Sequence, residues 1–251
     1  MSDHEITADW DAQWRSSPED FTAPDAEART PRWHAQEALV EELFGGFDGL
    51  RAIEIGSGRG LNALLYARCG ADVTLFDLSE TALEQAEALF DAHGLTATYV
   101  RGDFFALPDE LLGRFDVSMS FGVCEHFLGE RRLAVVRAHL DLLRSGGVAM
   151  LGVPNRFGVV YQAWMKVLKA RGSWDLGTEV PFSASELTTL VAAAGGTPLQ
   201  PRFGSFTGSV INHGVNQALF KLGKQGLPVP NVRVPVVDRL AYELLVPALK
   251  P

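Results

Sequence analysis

Residues 51–60 read RAIEIGSGRG, a short apolar run that ends in three glycines within five residues. The first half, RAIEI, has the composition of a short buried strand. The glycines mark a tight turn, in which the backbone can approach a ligand closely and the first N–H groups of a following helix stay free. The stretch therefore predicts a strand, a glycine-rich loop and the start of a helix, in that order.

Strands and helices alternate on both sides of this stretch. Apolar residues at helical spacing predict helices over 32–44, 61–69, 80–93 and 131–143. Short apolar runs predict strands over 51–55, 72–76, 96–100, 115–121 and 147–153. This alternation is typical of parallel βαβ units, so the predicted fold class is α/β, with a doubly wound, Rossmann-like and mostly parallel sheet.

The chain divides into three predicted parts. Residues 1–34 are polar and interrupted by prolines, which predicts an N-terminal arm with one short helical piece near 9–15, and this arm is a potential lid. Residues 35–210 form the α/β domain, in which a helical cap with a helix over 159–169 is inserted at about 156–180. Another helix is predicted over 183–194, and 197–210 could supply one or two closing strands. Residues 211–251 are interpreted as a C-terminal extension that could cover the substrate site, and the apolar stretch AYELLVPAL within it is assigned to no element.

The composition excludes several classes of protein. The 251 residues carry 22 Lys and Arg against 31 Asp and Glu, a net charge of −9. Proteins that bind nucleic-acid backbones gather basic residues instead, so no nucleic-acid partner is expected. Two cysteines are too few for a disulfide framework and the N-terminus lacks an apolar stretch, so a reducing, cytoplasmic location is expected. No run approaches the ~18 to 20 apolar residues that span a bilayer.

Acidic side chains stand at the ends of three predicted strands. Glu54 lies just before the glycines, Asp77 follows the second strand, and Asp103 with Phe104 follows the third. An open parallel sheet binds its ligand outside the carboxyl ends of its strands, so these residues should face one ligand. Asp77 could accept both hydroxyls of a ribose, and Asp103 could accept from an amine of a base whose face Phe104 covers. Each aspartate could instead serve only as a helix cap.

The spacing of the glycines argues against a phosphate ligand. In the dinucleotide pattern G-x-G-x-x-G the third glycine would stand at Leu61, and here it comes one residue earlier, at Gly60. The Gly-Lys-Ser/Thr sequence of a nucleoside-triphosphate loop is absent. A carboxylate at Glu54, beside the loop, suits a ligand that is cationic at that end.

Together these motifs resemble those of the class I S-adenosylmethionine-dependent methyltransferases. The resemblance runs in order from about Leu50 to Asn155, through IEIGSGRG, LFDLS, GDFF, FDVSMSFGVCEH and LLRSGGVAMLGVPN, and extends loosely to about residue 205. It implies S-adenosyl-L-methionine as the cofactor and S-adenosyl-L-homocysteine as the product. The cofactor-binding residues that it implies are Glu54, Gly56, Ser57, Gly58 and Gly60 for the methionine end, Asp77 and Leu78 for the ribose, Asp103 and Phe104 for the adenine, and Ser120 and Phe121 beside the sulfonium.

Methyl transfer from a sulfonium is an in-line displacement that needs alignment, a dry pocket and a deprotonated nucleophile. No residues with metal-ligand spacing stand out, so no metal is expected. His126, which follows Glu125 just beyond the fourth strand, is the leading candidate for a general base toward a hydroxyl acceptor, because histidine titrates near neutrality. Alternatively, the Glu125–His126 pair closes the loop or contacts the cofactor. His213 is the second candidate base.

Recognition of the acceptor is expected from residues outside the common core, namely Trp10, Trp14, Asn155, Tyr161, Trp164 and His213. So many aromatic rings suggest a small hydrophobic or planar acceptor, with O-methylation favoured and N-methylation as the other option. The helix over 159–169 could instead rest on a membrane surface, which would favour a lipid, membrane-associated or macromolecular substrate, or it could simply pack on the core. A non-catalytic cofactor-binding protein of the same fold is a further alternative. The sequence does not indicate an oligomeric state.

Overall fold

A computed structural model describes residues 3–16, 20–174, 177–227, 229 and 232–251, in which helices and strands alternate. The helices are α1 (Asp3–Ser16), α2 (Ala23–Glu27), α3 (Pro31–Phe44), α4 (Leu61–Arg68), α5 (Glu80–Ala92), α6 (Glu130–Leu142), α7 (Val159–Ala170), α8 (Ala184–Ala193), α9 (Phe206–Ser209), α10 (Gln217–Lys221) and α11 (Pro235–Asp238). The strands are β1 (Arg51–Ile55), β2 (Asp72–Asp77), β3 (Thr98–Arg101), β4 (Phe115–Phe121), β5 (Leu143–Pro154), β6 (Thr197–Pro198), β7 (Arg202–Phe203) and β8 (Glu243–Leu249). A π-helical segment covers Val210–Asn216.

The strands form one sheet in the order β3-β2-β1-β4-β5-β8-β6, with β7 also paired to β8. Every neighbouring pair from β3 to β5 is parallel, whereas β8 runs antiparallel to β5, β6 and β7. The strand order reverses between β1 and β4, so the C-terminal ends of these two strands border the crevice in which such sheets bind ligands. The predicted doubly wound, mostly parallel α/β fold is therefore confirmed.

Apolar side chains cover both faces of the sheet. On one face the buried residues of α3, α4 and α5, such as Val40, Leu64 and Phe90, pack against the strands. On the other face the buried residues of α6 and α8, such as Val135 and Leu187, do the same. Burial on both faces explains why the central strands are almost continuously apolar in sequence.

The N-terminal region contains more helix than the sequence predicts. Helix α1 has 14 residues rather than a short piece near 9–15, because none of the prolines falls inside it. Pro24 and Pro31 instead stand in the first turns of α2 and α3, where a missing N–H group breaks no helical hydrogen bond.

The largest difference lies at the other end of the chain. The unassigned stretch AYELLVPAL contains β8, which pairs with β5 from Val148↔Leu249 to Pro154↔Glu243 and is buried along most of its length. The sheet therefore uses a strand from beyond residue 210, where the α/β domain was predicted to end. Pro247 hides this strand from sequence reasoning, because proline is rare inside a central strand. In the described ranges no helix has the length and apolar character that crossing a bilayer requires.

Candidate active site

A cavity of about 470 Å³ opens at the C-terminal ends of β1, β2 and β4. Its volume is in the range of small-molecule sites, about 300–1,000 Å³. The predicted cofactor residues that line it are Glu54, Gly56, Ser57, Gly58, Asp77, Leu78, Phe104 and Phe121. The predicted catalytic and acceptor residues that line it are Glu125, His126, Trp10, Trp14 and Tyr161. Two groups of residues far apart in sequence thus meet at one site.

Each of the three loop glycines stands where a side chain would clash with a different neighbouring residue. Each has a positive φ. A Cβ atom on Gly56 would lie 2.7 Å from Val123, and a Cβ atom on Gly58 would lie 2.5 Å from Trp14. Gly60 does not line the cavity. It caps α4, and a Cβ there would lie 2.1 Å from Leu75. Gly60 therefore allows α4 to pack closely on β2, while the other two let the loop approach the residues that cover the cavity.

Asp77 is held by the backbone at the tip of β2. One of its carboxylate oxygens accepts from the N–H of Gly58 and the other from the N–H of Ser79, both at 2.8 Å. Burial raises the pKa of this carboxyl, while the hydrogen bonds from the two N–H groups lower it. A carboxylate offers about four lone-pair positions, so two remain for the hydroxyls of a ribose.

Glu54 places a second buried carboxyl beside the glycine loop. Its Oε2 accepts from the N–H of Ala63 at 2.9 Å, and the residue is 4% exposed. Burial raises its pKa to about 8, against the opposing effects of that hydrogen bond and of Arg32. Ionising a buried carboxyl costs free energy, and a positively charged ligand in the cavity would offset that cost. Glu54 therefore suits a cationic ligand.

Two predicted cofactor residues turn away from the cavity. Asp103 accepts from the N–H of Phe105 at 2.8 Å and caps its own turn, so only Phe104 of this pair lines the cavity. Ser120 is wholly buried and donates from its hydroxyl to Nε2 of His139 at 2.9 Å. Nδ1 of that ring donates to the Val135 carbonyl, and burial lowers the pKa of His139 to about 4, so the ring is neutral and Nε2 can accept.

His126 lies in the loop after β4 and lines the cavity. Its Nδ1 donates to the carbonyl of Thr178 at 2.7 Å, and the edge of Trp10 packs on the ring with centroids 5.2 Å apart. Burial lowers the pKa of His126, although the carbonyls of Thr178 and Gly122 oppose this effect. The ring is therefore neutral at pH 7, and because Nδ1 carries the proton, Nε2 carries the lone pair.

Two further carboxyls lie next to His126. Oε2 of Glu125 is buried without a hydrogen-bond partner among the described residues, and burial together with the nearby Glu179 raises the pKa of Glu125 to about 8. Tyr161 donates from its hydroxyl to Glu179 at 2.5 Å. Glu179, Tyr242 and Arg32 all line the cavity and were missed from the sequence, because no motif marks them.

Three predicted acceptor residues lie behind the cavity wall. Asn155 donates from its side-chain amide to the carbonyls of Arg239 and Ala241, at 2.9 and 3.0 Å, and so fixes the turn before β8. Trp164 and His213 pack against Tyr161, with ring centroids 5.5 and 5.1 Å from it. They support a lining residue and do not themselves line the cavity.

Helix α1 covers the cavity from the side of the glycine loop. Trp14 lies against Gly58, and its carbonyl accepts from the side chain of Gln85 on α5 at 3.0 Å. Ser79 donates from its hydroxyl to Asp11. With Trp10 on His126, the helix spans the cavity from the cofactor side to the side of the β4 loop.

The fold, the glycine loop and the carboxylates at the strand ends are those of a methyl-transferring enzyme. A family model described as a methyltransferase domain matches residues 52–147. The chain belongs to the class I S-adenosylmethionine-dependent methyltransferases, and S-adenosyl-L-methionine is the cofactor of that family.

Two curated relatives share the name ubiquinone biosynthesis O-methyltransferase. The one from Bordetella avium (strain 197N) is 30% identical over 170 residues, which is 63% of this chain and 67% of the relative. The one from Shewanella halifaxensis (strain HAW-EB4) is 27% identical over 117 residues, 47% of this chain and 49% of the relative. The alignments thus span about two thirds of the first relative and about half of the second.

Solved structures support the same fold. Magnesium protoporphyrin IX methyltransferase from Synechocystis PCC 6803, with bound SAH, superposes with a TM-score of 0.60 at 16% identity, covering 97% of this chain and 92% of the other. The 1,6-didemethyltoxoflavin-N1-methyltransferase of Burkholderia thailandensis, with bound 1,6-didemethyltoxoflavin and S-adenosylhomocysteine, gives 0.61 at 18% identity, covering 100% and 91%.

Proposed function

We propose that this methyltransferase methylates a hydroxyl group of a small, hydrophobic or planar acceptor. The observation that carries this proposal is the neutral ring of His126, whose Nδ1–H is bound to the Thr178 carbonyl and whose lone pair is on Nε2. A hydroxyl must lose its proton as it attacks, and a neutral histidine beside it can take that proton. The names of the relatives, which are O-methyltransferases, agree with this choice.

The cofactor end of the cavity fits S-adenosylmethionine. Glu54 would meet the ammonium group, Asp77 would accept from the ribose hydroxyls with its free lone pairs, and Phe104 would cover the adenine. The space that a Cβ atom would take at Gly56 and Gly58 is filled by Val123 and Trp14, so the glycines let these two side chains close on the loop beside the cofactor. Bound there, the sulfonium supplies an electrophilic methyl group.

The protein's own part in the transfer is alignment and removal of a proton. The Thr178 carbonyl keeps Nδ1 of His126 protonated, so that Nε2 receives the proton from the acceptor hydroxyl. Trp10 lies against the same ring, and Trp10 and Trp14 of helix α1 line the cavity, where they would limit the access of water to the acceptor. The rings of Tyr161 and Tyr242, with centroids 4.3 Å apart, line the cavity beside Glu179 and would pack on a planar acceptor.

The buried carboxyls favour one competing function, N-methylation of an amine. Glu125 and Glu179 line the acceptor end, and the unpartnered Oε2 of Glu125 could accept from an ammonium group. An amine acceptor would be held by these carboxyls, and one of them would take the proton that the ammonium group must lose before its nitrogen attacks the methyl group, so no histidine base would be needed.

A panel of acceptors that differ only in the methylated group distinguishes O-methylation from N-methylation. The purified chain is incubated with S-adenosylmethionine and pairs of compounds that differ only in a phenolic hydroxyl or an aromatic or benzylic amine, and S-adenosylhomocysteine is measured. O-methylation predicts turnover of the phenols, a loss of about 10²–10⁴-fold in His126→Gln, and little change in the control His213→Gln. Turnover of amines alone, insensitive to His126→Gln, would favour the competing function. Cofactor binding without any turnover would favour a non-catalytic binder.

A further inference from the structure

Basic residues are concentrated in two segments of this acidic chain. Residues 156–174 and 187–237 contain eight of the 22 Lys and Arg residues and no Asp or Glu. The rest of the chain therefore holds 14 basic residues against all 31 acidic ones. Arg156, Arg202 and Arg233 pair with Glu186, Glu42 and Asp238 from outside the two segments, so the excess positive charge comes from the other five basic residues.

The same two segments expose most of the large apolar side chains. Of the fifteen that are exposed in the described ranges, eleven lie in these two segments and a twelfth, Leu240, follows the second segment. The most exposed are Val236 at 83%, Leu222 at 70% and Phe157 at 58%. Single exposed apolar residues are ordinary, but a concentration of this size marks an interaction surface.

The fold brings the two segments together. Helix α7 packs its buried side against the π-helical segment, with the rings of Tyr161 and His213 5.1 Å apart. Phe157, Val159 and Lys166 from the first segment share a surface depression with Leu240. We define the basic apolar face as the solvent side of the described residues in 157–170, 215–227, 229 and 232–240.

The solvent-facing side of helix α7 is unusually apolar and carries no acidic residue. Tyr161 and Met165 are buried, and Tyr161 lines the cavity. The outward positions Val159, Ala163, Lys166, Val167, Lys169 and Ala170 carry apolar side chains and two lysines where a surface helix normally carries charges of both signs. A helix with aliphatic residues and lysine on its solvent side has the character of an interfacial helix.

We propose that the basic apolar face docks on an anionic lipid bilayer. Aliphatic side chains gain by entering the headgroup and acyl boundary, and Lys and Arg gain from anionic headgroups. A symmetric contact with a second copy would bring two cationic faces together, which is unfavourable. Nucleic acid would be attracted by the charge, but valines and leucines provide none of the stacking that single strands use.

Sedimentation with vesicles tests the proposal on the full chain. Vesicles of phosphatidylcholine alone are compared with vesicles that contain about 30 mol% phosphatidylglycerol, at low salt and at about 0.5 M salt. Binding is expected to the anionic vesicles at low salt, weaker at high salt, and weakest to the neutral vesicles. An absence of binding to the anionic vesicles at low salt overturns the proposal.

Matched variants locate the contact. The double variant Lys166→Glu/Lys224→Glu is expected to bind anionic vesicles at least about 25-fold more weakly, about fivefold for each lysine. The control Arg114→Glu/Arg137→Glu makes the same change in charge at exposed positions elsewhere and should have a much smaller effect. Val236→Ser should weaken binding about tenfold, and Leu112→Ser should not.

Equal losses from the two double variants would reduce the binding to net charge and overturn the assignment of this face. Light scattering tests whether a second copy of the chain occupies this face instead. If the chain does not bind vesicles but self-associates, and Val236→Ser abolishes the self-association, the face is a dimer contact. Calorimetry with S-adenosylmethionine should give the same affinity for all variants, so this proposal and the proposed function can fail independently.

Discussion

The pH dependence of cofactor binding tests the position of Glu54 most directly. Its pKa of about 8 in the free protein means that roughly nine-tenths of the molecules carry the protonated acid at pH 7. An ammonium group placed against this side chain favours the carboxylate, so binding should expel the proton. About 0.9 proton should be released per S-adenosylmethionine bound at pH 7.

The affinity should follow the same linkage. Below pH 8, Kd should fall about tenfold for each unit of rise in pH, and it should level off above that value, where Glu54 is already ionised. Titration calorimetry at pH 7 in two buffers with different ionisation enthalpies counts the protons, and repeating it from pH 6.5 to 8.5 gives the affinity profile.

Two substitutions identify which side chain releases the proton when the cofactor binds. Glu54→Gln should remove most of the release and flatten the profile. Glu125 has the same pKa of about 8 but lies beside His126, so Glu125→Gln should keep the release. A wild-type release near zero, or an equal release from Glu54→Gln, would refute the placement of the cofactor ammonium against Glu54. Titration of the ligand's own amine contributes equally to all variants and cancels in the comparison.

Three further outcomes are expected. Because burial holds the pKa of His126 below its ordinary value of 6.5 and the base must be neutral, kcat/KM for a hydroxyl acceptor, measured with S-adenosylmethionine saturating at every pH, should fall only when the pH drops below 6.5, and an acidic limb at higher pH would contradict this. Asp77→Ala should weaken S-adenosylmethionine binding in calorimetry by about 1–3 kcal/mol through lost hydrogen bonds, and unchanged affinity in a folded variant would speak against its role. In urea unfolding, Gly60→Ala should cost about 1–3 kcal/mol more than Gly94→Ala, since both have positive φ but only Gly60 would place its Cβ against Leu75; equal costs would argue against that packing.

The parallel half of the fold could be predicted because its signals are local. RAIEI and FDVSMSF form strands with the predicted bounds, since a strand buried on both faces needs a continuous apolar run. The strand containing Pro247 was missed because its identity depends on a partner, β5, about 90 residues away. Similarly, no local pattern tells that α1 continues from Asp3 to Ser16.

The residues of the candidate site also divide into those that the sequence predicts and those that it does not. Residues on the strand ends, such as Glu54 and Asp77, could be found from the topology rule alone. Arg32, Glu179 and Tyr242 could not, because they reach the cavity from a helix, an insertion and the turn before β8. The sequence also could not indicate that Ser120 turns to His139, since that depends on packing between β4 and α6.

The antiparallel strand β8 has a consequence for the order of folding. Until residues 243–249 are synthesised, β5 has one open edge in the middle of the sheet, and loop closure over about 90 residues must precede its pairing. The same strand brings Glu243 to Arg32, and Tyr242 directly before it completes the cavity wall. A chain that has not yet formed β8 would thus hold an incomplete sheet with an apolar edge, a species prone to association, and the cavity wall would be complete only once β8 has paired.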